Sequence, residues 1–397
     1  MKFMTREKLL EMSNPFNGAI FHSLQCERLE GNLVVNVEGS VLTNDVVYVN
    51  GVEARRENNK FTSSVALKEG QTEIIATSGQ NSDVSNVILD PNQQLRYSIS
   101  IDDNIFFLWD IFAKSPSSLF DNFYLRGLKK LHDKHGTKFT LNLFYEVNKR
   151  YSGTFGPFSL DQFSERYREE WENNSEWLRL AFHSFSEFPN RPYQNASPEK
   201  IMEDFDLVER EIKRFAGEAY IPTSITHWAM LPKEVFPMVK EKGVRTLCGY
   251  FFPNKNKINE DDLSYDVNYG FDDVTSRFLA ENKAIKHFES GIVFCSLDLL
   301  FNATQLDEVK PKLESILTNP RKKGVITLGT HEQYFWPQYR APSYWFIDDS
   351  SGAMRRGPEM MMEYRHIPDH FQRLESGIDI VTKEGYKPVF LNESYDI

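Results

Sequence analysis

The sequence predicts an α/β protein in two modules: a small all-β sandwich within residues 1–93 and a (β/α) barrel over 94–397. Three observations carry that reading. At 397 residues the chain is longer than one ordinary core usually holds. From about Gly31 to Asp90, apolar residues alternate in short runs bounded by Gly, Asn, Asp or Ser, as half-buried strands do. From Leu95, apolar runs alternate with long amphipathic helices, and so many strand–helix units imply parallel strands covered by helices and closed into a barrel.

In the first module, a short amphipathic helix is expected from Arg6 to Met12. The runs "NLVVNVEGSV", "DVVYVNGVEA", "KFTSSVALKEG", "QTEIIATSG" and "SDVSNVILD" then have the spacing of a small antiparallel sandwich. Asn50-Gly51 reads as a hairpin turn, since both central positions tolerate positive φ. The strand pattern resembles bacterial Ig-like domains appended to carbohydrate-active enzymes, which implies a spacer role ahead of sugar binding.

In the second module the expected strands are "YSISID", "KFTLNLFYE", "WLRLAFHS", "YIPTSITHW", "VRTLCGYF", "GIVFCSLD", "GVITLGTH" and "YKPVFL". Helices are expected at "SSLFDNFYLRGLKKLHDKHG", "SLDQFSERYREEWENN", "SPEKIMEDFDLVEREIKRFAG", "PKEVFPMVKEKG" and "PDHFQRLESGIDIVTKEG". In such a barrel, reactive groups sit at the C-terminal ends of strands. Asp102, Asp103, His183, His227 and His331 fall there.

Composition narrows the partners. A net charge of -11 and the lack of a Lys/Arg-rich run argue against nucleic acid and anionic membrane. The 31 Phe, 17 Tyr and 6 Trp exceed what packing alone requires and would suit a sugar cleft, although cores use most such residues. Cys26, Cys248 and Cys295 form no CxxC pair, so no disulfide framework is expected. The start "MKFMTREKLLEMSN" carries charges where a signal peptide needs a continuous apolar core, and no run of about 18 apolar residues occurs. A cytoplasmic protein is expected, unless a leader has been removed.

The stretch "YSISIDDNIFF" raises the chemical question, because a strand delivers two adjacent carboxylates to its own end. Strand-end Asp is common in turns, and that reading stands for the dipeptide alone. His183 and Glu187 in "AFHSFSE" are four apart and can converge on one cation if the chain turns helical. With Asp103 they make one imidazole and two carboxylates, an acceptable set for a divalent metal with an open position. Asp103 would be neutralised by the ion, leaving Asp102 ionised as a general base. His331 could protonate a leaving group, since histidine as a residue type titrates near neutrality. Glu332 could orient that ring or be solvated. An EF-hand loop is a poor alternative, because "DDNIFFLWDIFA" puts apolar residues where oxygen ligands and the turn Gly are needed.

Taken in order, "YSISIDDN", "TKFTLNLFYE", "LRLAFHSFSE", "EDFDLVEREIKRFAGE", "GVITLGTH" and "HFQRLESGIDIVTKEGYKPVFLNE" resemble the polysaccharide deacetylase (NodB-homology) family over residues 96–393. The resemblance implies a distorted (β/α) barrel of about seven strands and metal-dependent removal of an acyl, typically acetyl, group from carbohydrate. It implies Asp102 as base, Asp103 and His183 as metal ligands, and His331 as the catalytic histidine. A divalent ion is implied, zinc ahead of others. Glu187 stands where the family has a second His, which leaves other divalent ions open.

Where the family has an Arg-Pro-Pro-Tyr phrase, this chain reads "TSITHWAM". His227 could take part of that role, replace Glu187 as third ligand, or contact substrate beside Trp228. The phrase "THEQYFWPQYRAPSYWF" gathers Tyr334, Trp336, Tyr339, Tyr344 and Trp345 and could form an aromatic wall for a sugar. Two alternatives stay open: a metal-independent glycoside hydrolase using Asp102 and Glu187 as paired carboxylates, and a non-catalytic glycan-binding protein on a deacetylase scaffold.

Overall fold

The computed structural model describes residues 8–147, 156–186, 193, 196–251, 268–337, 366–395 and 397, with the backbone of 340–343, 345–347, 354–356 and 362–365. The chain divides into two compact units: Met1–Gln93 with Ala284–Glu289 and Asp396–Ile397, and Gln94–Lys283 with Ser290–Tyr395.

The first unit holds two five-stranded sheets. One runs Leu10–Asn14, Asn32–Val41, Lys60–Ala66, Arg55–Glu57, with Glu27–Leu29 also on Asn32–Val41. The other runs Ile20–Phe21, Asn81–Leu89, Gly70–Ser78, Val47–Val49, Val52–Glu53. Pairing is antiparallel except between Ile20–Phe21 and Asn81–Leu89. Alternation does the work here: Val35, Val37 and Val41 from one sheet and Ile74, Ala76 and Val87 from the other are buried. Asn50 and Gly51, at φ 47° and 80°, make the two-residue turn between Val47–Val49 and Val52–Glu53.

The helix expected from Arg6 to Met12 is not formed over its described part. Leu10–Asn14 is a strand, pairing Leu10 with Val41 and burying Leu10, because a period of two also fits these residues and a partner strand is at hand.

In the second unit, Arg96–Asn104 is the central strand, parallel to Phe139–Phe144 on one side and Val325–His331 on the other. Leu178–Ser184 extends the sheet beyond Phe139–Phe144, and Leu299–Leu300 extends it beyond Val325–His331. The sequence of the central strand alternates, yet Ser98 and Ser100 are buried along with Tyr97, Ile99 and Ile101, as befits a parallel strand covered on both faces. Thr246–Gly249 and Ile292–Ser296 pair in parallel as well.

Among the described residues no continuous ladder closes these strands into a barrel. Single hydrogen bonds make the remaining links: Ile221 N to Leu180 O (2.9 Å), Cys248 N to Ser224 O (2.7 Å), Leu297 N to Gly249 O (3.0 Å) and Asp298 N to Thr327 O (2.9 Å). The expected strand "YIPTSITHW" is therefore an extended segment with one bridge, from Tyr220 to Leu180. Pro222 lacks an N–H for a ladder, and Trp228 and Ala229 turn to positive φ, 58° and 50°. The closing strand is short, Lys387–Pro388, and pairs with Arg96 and Tyr97.

Helices follow their caps. Asn122 accepts from Tyr124 N and Leu125 N to start Phe123–His135, which stops at Gly136, φ 70°. Ser197 and a Pro at the first position start Pro198–Ala216. Phe106–Lys114 is a helix that the sequence did not announce. Among the described residues no helix is long and apolar enough to cross a membrane.

Candidate metal centre and acid pair

The two acids sit at the end of the central strand, where the register with Phe139–Phe144 shifts between Ile101 and Asn104. Asp103 is at φ 59°, a conformation that few residues other than glycine adopt. A regular strand would send neighbouring side chains to opposite faces. The bulge breaks that alternation at the acid pair. On the other side, Asp102 is the register partner of His331.

The turn after Asp103 is held from far away in the chain. Glu332, fully buried, accepts from the backbone N–H of Ile105 (2.7 Å), Phe106 (2.9 Å) and Phe107 (2.7 Å), and from Trp336 Nε1–H (2.9 Å). It caps the helix Phe106–Lys114, whose own N-terminal residue Ile105 offers no side-chain acceptor. Burial pushes the Glu332 carboxyl up to about 8, against the pull of these four donors toward the anion.

Asp103, His183 and His227 converge: each offers a ligand atom, and these atoms lie within 4.8 Å of one another, all buried. Asp103 Oδ1 is 3.1 Å from His183 Nε2 and 3.4 Å from His227 Nδ1, and the two nitrogens are 3.3 Å apart. His183 Nδ1 lies 3.0 Å from the Ile225 carbonyl. A carbonyl only accepts, so Nδ1 carries the proton, and a neutral ring then turns an unprotonated Nε2 toward a carboxylate oxygen. A second proton or a cation must reconcile those two atoms. Two imidazoles and a carboxylate are a donor set that suits zinc or another divalent transition ion, and the carbonyl bond on the far side of His183 is the usual support for a ligating ring.

Burial and the groups' own charges pull these side chains in opposite directions. Burial opposes the charge of Asp103, yet His331, His183 and His227 together hold its carboxyl well below the usual carboxylate range. Burial also opposes charge on His183, but Asp102, Asp103 and the Ile225 carbonyl outweigh it and raise that ring. In His227 burial prevails and lowers it.

Asp102 Oδ1 accepts from Asn142 Nδ2 (2.6 Å), on the neighbouring strand. Asp103 Oδ2 accepts from Gln333 Nε2 at 2.8 Å and stands 3.9 Å from His331 Nε2. His331 Nδ1 is 3.0 Å from Asn302 Oδ1, which only accepts, so Nδ1 donates and Nε2 is directed at the acid pair's side of the site. The His331 side chain keeps 27% of its surface open to solvent, far more than the 7% of Asp103.

Asp102, Asp103, His183 and His331 come together at adjacent strand ends. His227 joins Asp103 and His183, the group that could hold a metal, from a short 3-10 turn, His227–Ala229, rather than from a strand. Glu187 lies outside the described residues, and with it the spacing that a paired-carboxylate glycosidase would require. Trp228 is half-buried with its ring 5.9 Å from that of His227, and Tyr334 is half-buried 6.2 Å from the His331 ring.

Trp336 does not offer an aromatic face. It is 1% exposed, packs edge-on against Phe123 and donates to Glu332, because the apolar indole is worth more under the helix cap than in water. Tyr339, Tyr344 and the Trp345 side chain lie outside what is described. Sequence reasoning missed Asn142, Asn302 and Gln333. Asn142 had a signal, a lone polar residue inside the apolar run "TLNLF".

No family model matches the chain, and no curated protein matches it. Solved structures to which it is similar include deacetylases. One is described as T48 deacetylase with substrate, at 10% identity over 76% of this chain and 90% of that one, TM-score 0.36. A second is the Xyl-CE4 domain of a multidomain xylanase from the hindgut metagenome of Trinervitermes trinervoides, at 12% identity over 76% and 89%, TM-score 0.34. A third is a CE4 family pseudoenzyme from Bacillus anthracis, at 9% identity over 78% and 69%, TM-score 0.35. Likeness of this degree carries no argument about chemistry, which rests on the residues themselves.

Proposed function

We propose that the chain is a metal-dependent hydrolase that removes an acyl group, acetyl foremost, from a carbohydrate. The observation that carries the reading is the meeting of Asp103, His183 and His227 around one point, with Asp102 beside them and His331 on the adjoining strand. The carbohydrate substrate rests on the ordered sequence motifs, and zinc on the donor set. The first unit is assigned a spacer role.

A divalent ion held by Asp103, His183 and His227 would polarise an acyl carbonyl and acidify a water beside it. Asp102, steadied by Asn142, takes the proton that the attacking water loses as its oxygen bonds to the carbonyl carbon. His331 Nε2 delivers a proton to the leaving nitrogen or oxygen as its bond to that carbon breaks, giving a carboxylate and a free amine or hydroxyl. Asn302 fixes the ring for that step.

Acetate release from N- and O-acetylated oligosaccharides tests this reading. A chelator should abolish it and zinc restore it, and Asp102→Asn should lower kcat by about 100-fold or more while zinc stays bound. Acetate release that survives complete removal of metal overturns the proposal.

A further inference from the structure

We infer that Gln333 is a positioning residue for Asp103, deciding which carboxylate oxygen faces the two histidines and so setting the affinity of the site for a divalent cation; the inference rests on the metal-centre reading above. The carboxylate has two oxygens and two groups of suitors. Oδ1 is turned to His183 Nε2 at 3.1 Å and His227 Nδ1 at 3.4 Å. Oδ2 is taken by Gln333 Nε2 at 2.8 Å, while His331 Nε2 waits at 3.9 Å on the same oxygen. Removing the amide would free the carboxylate to rotate and to pair with His331 directly, drawing a ligand toward the acid that the mechanism keeps separate.

A second observation makes a merely structural role a poor account of Gln333. The residue is 4% exposed, and its Oε1 is buried without a hydrogen-bond partner among the described residues. A buried carboxamide with half its bonding unmet is a cost to the fold. What the side chain does make is one charge-assisted bond, and that bond goes to the carboxylate between the histidines. Outer groups that orient a ligand typically govern metal affinity over about 10–100-fold.

The test uses the full chain and zinc alone, titrated against a chromophoric chelator, with thermal unfolding of the metal-free protein in parallel. Gln333→Met, close in shape but without the donor, should weaken zinc binding about 10–100-fold with little loss of apo stability. Gln333→Asn, one methylene too short to reach Oδ2, should weaken it as well and carries the comparison should the Met variant not fold. Wild-type affinity in the folded variants overturns the inference and leaves the metal centre standing. A wild-type chain that takes no zinc overturns the metal-centre reading itself.

Discussion

At the scale of single residues, the acid pair is made tolerable by giving each carboxylate its own company. Asp102 is bonded to Asn142, and Asp103 to His183 and Gln333, so the two charges are held by different neighbours although they are adjacent in the chain. For a third metal ligand the sequence leaves Glu187 and His227 both open. His227, 44 residues from His183 in the chain, stands beside it, and Glu187 lies outside the described residues. Zinc titration of two variants separates them. His227→Ala should weaken binding by about 100-fold or more, since even outer-shell changes reach that range. Glu187→Gln should leave it near wild type, and a comparable loss there would return Glu187 to the ligand set.

At the scale of elements, the helix Phe106–Lys114 explains why the Asp103 turn holds its shape. The phrase "DDNIFFLWDIFA" is apolar nearly all round and has no capping side chain of its own, so neither periodicity nor a start signal marks it as a helix. Its cap is Glu332, more than two hundred residues later. Glu332→Ala should destabilise the protein by about 3 kcal/mol or more in urea unfolding, because it strands several buried N–H donors at once. The same variant should lose zinc affinity, as the positive-φ turn that aims Asp103 loosens. A fully stable variant would show that water replaces the carboxylate.

At the scale of the whole molecule, stability should depend on acid through His370. This ring begins the last helix, lies 2.6 Å from Thr330 Oγ1 and packs against Phe335. Burial first, then the charges of Arg373, His331 and His366, depress it to about 3. A histidine depressed in the folded state contributes stability that is complete above its unfolded value, about 6.5, and is lost as pH falls toward 3. The free energy of urea unfolding should therefore decline below pH 6.5 with a slope of up to about 1.4 kcal/mol per pH unit from this group. His370→Gln, which can still bond Thr330 but does not titrate, should flatten that decline; an unchanged slope would assign it to other groups.

What the sequence determined by itself is whatever a local pattern encodes: the short alternating strands up to Leu89, the parallel apolar strands from Arg96 on, and the delivery of Asp103, His183 and His331 to strand ends. Those follow from hydrophobic period and caps, which depend on neighbours in the chain. Tertiary structure alone decided that Leu10–Asn14 pairs as a strand, that Trp336 is buried, that Glu332 caps a distant helix, and that His227, Asn142 and Gln333 reach the acid pair. Each of these rests on a partner tens to hundreds of residues away, and a one-dimensional period carries no record of which donor will meet which carboxylate.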